Sequence, residues 1–148
     1  MTYQFKSKSI LFLFVLAQTA FCSARAQSGP ILIDHDKVAA AFAKGMPLLE
    51  TNHFKIQAGR REAPGQVEVH GRDTDIFYVL EGAATLVTGG KTVGPRTVAA
   101  DEVRGKEITG GEARRLVKGD VIVIPKGVPH WFKEVSGPFL YYVVKVTE

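Results

Sequence analysis

A carboxylate, an imidazole and a second carboxylate stand within eight residues of one another in an apolar setting. Glu68 and His70 are two residues apart, so on a β-strand they project from the same face. Asp75 follows them and begins a run of strand-forming residues at 76–80. Burying such charges is costly unless something compensates them, and a divalent metal ion is a common compensation. The stretch therefore predicts a metal site.

A second imidazole, His130, lies in a segment of similar character. The apolar run 121–124 is followed by the sequence Pro-Lys-Gly-Val-Pro-His. This pattern predicts a strand that ends in a rigid turn, after which the chain re-enters the core at His130. The run 121–124 does not alternate with polar residues, so we expect this strand to be covered on both faces.

The two segments resemble the two sequence motifs of the cupins, small β-barrel proteins whose motifs line one metal pocket. The resemblance extends over about residues 47–146. The second motif matches at Gly119, Pro125, Gly127 and His130, with Glu134 where the family often has Asn.

The first motif of the family has two His two residues apart, then a Glu, then six residues and a Gly, and this chain departs from it. Alignment on Asp75 and Gly82 places Glu68 and His70 at the two His positions. Another alignment uses His70 and Arg72 but leaves only two residues before Asp75. By resemblance, the metal ligands would be His70 and His130 with Asp75, Glu68 or both.

The resemblance implies one divalent metal ion. Nitrogen and oxygen donors without a thiolate suit Fe, Mn, Zn, Ni or Co. If one carboxylate binds, coordination positions stay open for water or substrate, which allows metal catalysis. Proton transfer would then need a further side chain, and the candidates are Glu134, Tyr78 and Lys145.

Three functions are compatible with these residues. The first is a metal-dependent enzyme of the oxygenase, isomerase or lyase type, acting on a small polar or anionic molecule. The second is a non-catalytic module that binds a small molecule in the same cavity, and the third is a barrel whose metal is purely structural. The fold does not choose among them.

The remaining pattern predicts an all-β fold with a short N-terminal helix. An Ala-rich helix is expected at 37–44, because Asp34 and Asp36 precede it as N-cap residues and Gly45 follows it. Strands are expected at 53–60, 65–70, 75–80, 83–88, 113–117, 120–124, 129–134 and 139–146. Turns are expected at Glu81-Gly82 and at Ser136-Gly137-Pro138, among others. With the resemblance, this is a cupin-like double-stranded β-helix, or jelly-roll barrel.

Strand periodicity assigns several side chains to a face. Asp75, Phe77 and Val79 should point inward together, with Tyr78 outward, and Tyr141 should share a face with Lys145. In strand 53–60 the even positions 54, 56 and 58 look like the core face and His53 looks exposed, whereas Arg60 and Arg61 are undecided. The polar segment 94–107 is expected to be a surface excursion.

Residues 1–26 have the order of a secretory signal peptide. Lys6 and Lys8 precede an apolar run at 10–21, and Ala24-Arg25-Ala26 supplies small residues at a cleavage site. We therefore expect an exported protein, periplasmic or secreted, with a lead-in and helix at 27–46 and the barrel at 47–148. Anchoring through Cys22 is disfavoured by the bulky Phe21.

Composition excludes two classes of partner. Without the leader, 16 basic and 15 acidic residues remain, so no patch for nucleic acid is expected. The one Cys of the chain lies in the leader and is removed with it. After this cleavage no stable membrane insertion is expected. A small-molecule ligand is the expected partner, and a homodimer formed through edge strands is possible by resemblance.

Overall fold

The computed structural model describes residues 29–148, and the signal peptide expected at 1–26 lies outside these described residues. The elements, in chain order, are α1 (His35–Lys44), β1 (Pro47–Glu50), β2 (Phe54–Arg61), β3 (Val67–His70), β4 (Asp73–Thr88), β5 (Lys91–Val93), β6 (Arg96–Ala99), β7 (Glu102–Gly105), β8 (Glu107–Thr109), β9 (Glu112–Val117), β10 (Val121–Ile124) and β11 (His130–Thr147). No helix in the described range is long and apolar enough to cross a membrane.

Helix α1 has the caps that its sequence predicts. The Asp34 carboxylate accepts a hydrogen bond from the backbone N–H of Lys37 at 2.9 Å, which satisfies a free donor of the first turn. Gly45 ends the helix with a positive φ of 68°, a conformation that glycine adopts without strain. The helix begins two residues earlier than expected, at His35.

Two long strands, β4 and β11, organise the sheets. They pair with each other in antiparallel register along most of their length. β4 also pairs with β9 and β10, while β11 pairs with β2 and β3. Beyond β3 the same sheet continues with β7 and then β6, and β5 and β8 form a separate two-stranded sheet. This confirms the all-β jelly-roll prediction with its short N-terminal helix.

Two predicted turns are instead kinks inside the long strands. Gly82 lies within β4 with a φ of +77°, and β11 has a register shift between Ser136 and Leu140 opposite it. A side chain at Gly82 would place its Cβ 2.3 Å from the carbonyl oxygen of Pro138. The glycine therefore bends β4 and admits the backbone of β11, and the chain does not reverse there.

An aromatic cluster packs beneath the cavity that these strands enclose. The rings of Phe77, Phe132, Phe139 and Tyr141 are buried, and neighbouring centroids lie 5.2–5.6 Å apart. These are distances at which aromatic pairs attract each other. The inward face of β4 is the predicted one, because Asp75, Phe77 and Val79 are all buried. This packing fixes the strands that carry the polar residues above it.

Strand β10 is not covered on both faces as its apolar run suggested. Val121 and Val123 are 62% and 54% exposed, whereas Ile124 is buried. β10 pairs only with β4 within the described chain, so its outer face meets solvent. The prediction was wrong because an apolar run at a sheet edge looks the same in sequence as one in a sheet interior.

Segment 94–107 is not a simple surface excursion, because it forms the hairpin of β6 and β7. β7 pairs with β3 in a register that sets Glu102 opposite His70 and Arg104 opposite Glu68. Side chains of paired residues lie on the same side of a sheet, so Glu102 and Arg104 face the cavity as His70 and Glu68 do. The hairpin thus supplies two charged groups to the site.

Candidate metal centre

The interior of the barrel holds a polar cavity of about 380 Å³. Its wall includes both histidines of the two motifs, His70 and His130, and the aromatic rings of Phe77, Phe132 and Tyr141. Four acids and four bases also line it, namely Glu68, Asp73, Asp75, Glu102, Lys55, Arg61, Arg104 and Lys145. The sequence-predicted histidines therefore lie in one cavity.

His130 presents a free nitrogen to this cavity. The first residue of β11 is held by a hydrogen bond in which its Nδ1 donates to the carbonyl oxygen of Val128 at 3.1 Å. Its Nε2 is buried and has no hydrogen-bond partner among residues 29–148. Burial lowers the pKa of His130, so the ring is neutral at neutral pH and Nε2 carries a lone pair.

His70 is held between acidic groups. Its Nδ1 contacts Glu102 at 2.5 Å, and its Nε2 lies 3.3 Å from Asp75, 3.6 Å from Glu68 and 2.9 Å from the ammonium of Lys145. Burial lowers the pKa of His70, but its hydrogen bonds to Asp75 and Glu68 outweigh burial and raise this pKa to about 9. The Lys145 charge opposes this rise.

Glu68 completes a group of three possible ligands. One oxygen accepts a hydrogen bond from Arg61 at 3.0 Å, and the other pairs with Arg104 at 2.9 Å. Burial raises the pKa of Glu68, but its bond to His70 and the two guanidinium groups hold this pKa far below its usual value. The ligand atoms of Glu68, His70 and His130 all lie within 4.8 Å of one another.

Asp75 lies beside this group but is held by another residue. It is 1% exposed, and its two oxygens accept hydrogen bonds from Lys145 at 2.7 and 2.6 Å. Burial raises its pKa, but bonds to His70 and Lys145 lower it below the usual range. Its nearer oxygen is 3.7 Å from Nε2 of His130. The carboxylate is thus charged and engaged with an ammonium.

The three candidates for proton transfer lie in different places. Glu134 is exposed and accepts a hydrogen bond from the Thr85 hydroxyl at 2.8 Å. Tyr78 is 46% exposed on the outer face of β4. Lys145 alone of the three lines the cavity, and it shares that face with Tyr141 as the strand period predicted.

Several cavity residues were not predicted from the sequence. Glu102 and Arg104 come from the hairpin that was expected to be a loop, although their alternation with Val103 is typical of a strand. On β2, the side chains of Lys55 and Arg61 line the cavity. Both are at odd positions, whereas the core face was expected at the even positions. Of that expected face only position 58 is fully buried, and position 54 is 36% exposed.

The acids of the cavity are compensated by the protein's own bases. The ion pairs are Lys55–Asp73 at 3.0 Å, Arg61–Glu68 at 3.0 Å, Arg104–Glu68 at 2.9 Å, Arg104–Glu102 at 2.6 Å and Lys145–Asp75 at 2.6 Å. A metal ion is therefore not needed to balance these charges. A different feature fits a metal: the buried Nε2 of His130 lacks a partner in the part of the chain that the structure describes, and it lies near the donor atoms of His70 and Glu68.

The family model described as Cupin matches residues 26–148. This chain belongs to the cupin family. The match includes both motifs and every strand described above. No curated protein matches the chain significantly.

Solved structures show the same fold at low sequence identity. BH2720 from Bacillus halodurans is 15% identical with a TM-score of 0.57, and the match covers 82% of this cupin and 84% of that chain. TT1209 from Thermus thermophilus is 20% identical with a TM-score of 0.51, covering 70% and 81%. The cupin domain of Cnp3 from Schizosaccharomyces pombe is 14% identical with a TM-score of 0.53, covering 70% and 64%.

Proposed function

We propose that this cupin binds one divalent metal ion through Glu68, His70 and His130, and that it acts on a small anionic molecule in the same cavity. The observation that carries the proposal is the buried Nε2 of His130, which has no partner among the described residues. Two imidazole nitrogens and one carboxylate form a donor set that suits Fe, Mn, Zn, Ni or Co.

The residues around the ligands support this role. The hydrogen bond that Nδ1 of His130 donates to the Val128 carbonyl leaves the lone pair of Nε2 free for a metal ion. The Glu102 carboxylate contacts Nδ1 of His70. In metal sites, a carboxylate at this place orients the histidine that binds the metal. Three protein ligands leave coordination positions open. A metal bound there would supply a Lewis acid or an activated water.

The charge of the cavity favours an anionic ligand. Its four acids and four bases balance, and both histidines must be neutral to bind a metal. A divalent ion would therefore leave an excess of positive charge, which an anion can neutralise at low dielectric. A volume of about 380 Å³ lies at the small end of ligand sites. A small carboxylic acid fits both conditions.

We assign the protein to the metal-dependent oxygenase, isomerase or lyase type of cupin activity. One observation favours a non-catalytic binding module as the second candidate. Glu134 and Tyr78 lie outside the cavity, and Lys145 is engaged with Asp75, so acid–base groups are scarce at the site. Both candidate functions include binding of the metal ion and of the anion, but only the enzyme converts the anion into a product.

Metal and anion titrations test the proposed function. Protein stripped with a chelator is expected to bind one Mn²⁺ or Zn²⁺ per chain, measured by elemental analysis after dialysis. Malonate and succinate are expected to raise the melting temperature of the metal-loaded protein more than that of the stripped protein. If neither metal reaches a stoichiometry of about one ion per chain at saturation, the proposal is refuted. Binding of acids that stay chemically unchanged would favour the binding module.

Glu102→Gln tests the orientation of His70. The change removes the charge that faces Nδ1, and we expect a loss of metal affinity of about ten- to a hundredfold, the usual effect of an outer carboxylate. Glu107→Gln, at an exposed position of β8, is the matched control. Equal affinities in the two variants would show that Glu102 does not support a metal ligand.

A further inference from the structure

Lys145 contacts the same atoms that a metal ion would use. Its ammonium lies 2.9 Å from Nε2 of His70 and 2.7 and 2.6 Å from the two oxygens of Asp75. The side chain is 12% exposed, so water screens these contacts only weakly. Asp75 stands at the position where the first motif of the cupins has its Glu. The lysine thus occupies one side of the candidate centre.

We propose that Lys145 competes with the metal ion for His70 and Asp75, and that it keeps Asp75 out of the coordination shell. This inference rests on the proposed function, because it concerns the affinity of the proposed metal. Lys145 is then a positioning residue. It limits the protein ligands to Glu68, His70 and His130, and so preserves open coordination positions for a ligand.

The geometry requires that the two cations exclude each other at His70. A metal bound to Nε2 would lie about 2.1 Å from this nitrogen, and the Lys145 ammonium is 2.9 Å from it. Two positive charges so close repel strongly in a buried site. Lys145 must therefore leave Nε2 when the metal binds, but it can keep Asp75, whose two oxygens it already holds.

Removal of the lysine charge tests the competition. In Lys145→Met, Asp75 loses its cation and becomes available as a fourth ligand. We expect the dissociation constant for Zn²⁺ or Mn²⁺, measured by competition with a chelating dye, to fall by about tenfold or more. Lys145→Gln removes the charge but keeps a hydrogen-bond donor for Asp75, and it serves if the Met variant does not fold. Lys133→Met is the control, because Lys133 is an exposed lysine of the same strand.

A double variant shows whether Asp75 is the cause. Lys145→Met with Asp75→Asn removes the competitor and the carboxylate together, so the part of the gain that comes from Asp75 should disappear, while the part that comes from the freed Nε2 of His70 should remain. Affinity that is equal in wild type and in both Lys145 variants would overturn the inference while leaving the proposed metal site intact. Metal binding by the Lys145 variants but not by wild type would support the inference and refute the proposed function of the wild type. Absence of binding in every variant would overturn both.

Discussion

His130→Ala is expected to weaken metal binding by more than about a hundredfold. The change removes a ligand itself, and the loss of an outer partner of a ligand already costs ten- to a hundredfold. It also removes a buried ring whose Nε2 is aimed at the proposed ion. The dissociation constant of Zn²⁺, measured with a competing chromophoric chelator, reports the effect. His70→Ala should behave in the same way.

The chain offers matched controls for this experiment in its two other histidines. His35 and His53 are exposed and lie outside the cavity. Their alanine variants should bind metal as the wild type does, and all four variants should be compared after thermal unfolding has shown that they fold. Unchanged affinity in His130→Ala, with the fold intact, would remove this residue from the metal centre.

Gly82→Ala is expected to destabilise the fold by about 3 kcal/mol or more. The left-handed conformation at a φ of +77° costs a residue with a side chain about 1–2 kcal/mol. The new Cβ would also lie 2.3 Å from a backbone carbonyl of β11, and overpacking of this kind adds about 1–3 kcal/mol. Urea unfolding followed by circular dichroism measures the loss.

Gly89→Ala separates the two contributions. Gly89 has a similar φ of +74°, but a Cβ there would meet no described atom within 4 Å. This variant should lose only about 1–2 kcal/mol, the cost of the backbone conformation. If the two variants were equally stable, the close crossing of β4 and β11 at Gly82 would not be an essential feature of the fold.

The sequence could predict the fold and the two histidines because their determinants are local. Alternation placed Asp75 and Phe77 on one inner face. The turn before His130 fixed the entry of that residue into the core. Gly82 was recognised as special, but a glycine with positive φ serves a turn and a strand kink equally well, so the local pattern could not distinguish them.

The rest of the site depends on pairings between distant strands. Glu102 and Arg104 reach the cavity because β7 pairs with β3, more than thirty residues away in sequence. The partner of Asp75 is Lys145, seventy residues later. A motif gives the face on which Asp75 lies, but it does not give the cation that meets it there. For that reason the sequence could not predict the ammonium that the structure shows on this carboxylate.

A crystal structure of the protein soaked in Zn²⁺, with anomalous scattering at the zinc edge, tests the metal centre most directly. We expect one strong anomalous peak in the cavity, about 2.0–2.2 Å from Nε2 of His70, Nε2 of His130 and an oxygen of Glu68. Lys145 should have moved away from His70 and remained with Asp75. A crystal without a peak at these three residues, or with the zinc bound elsewhere, would refute the proposed metal centre.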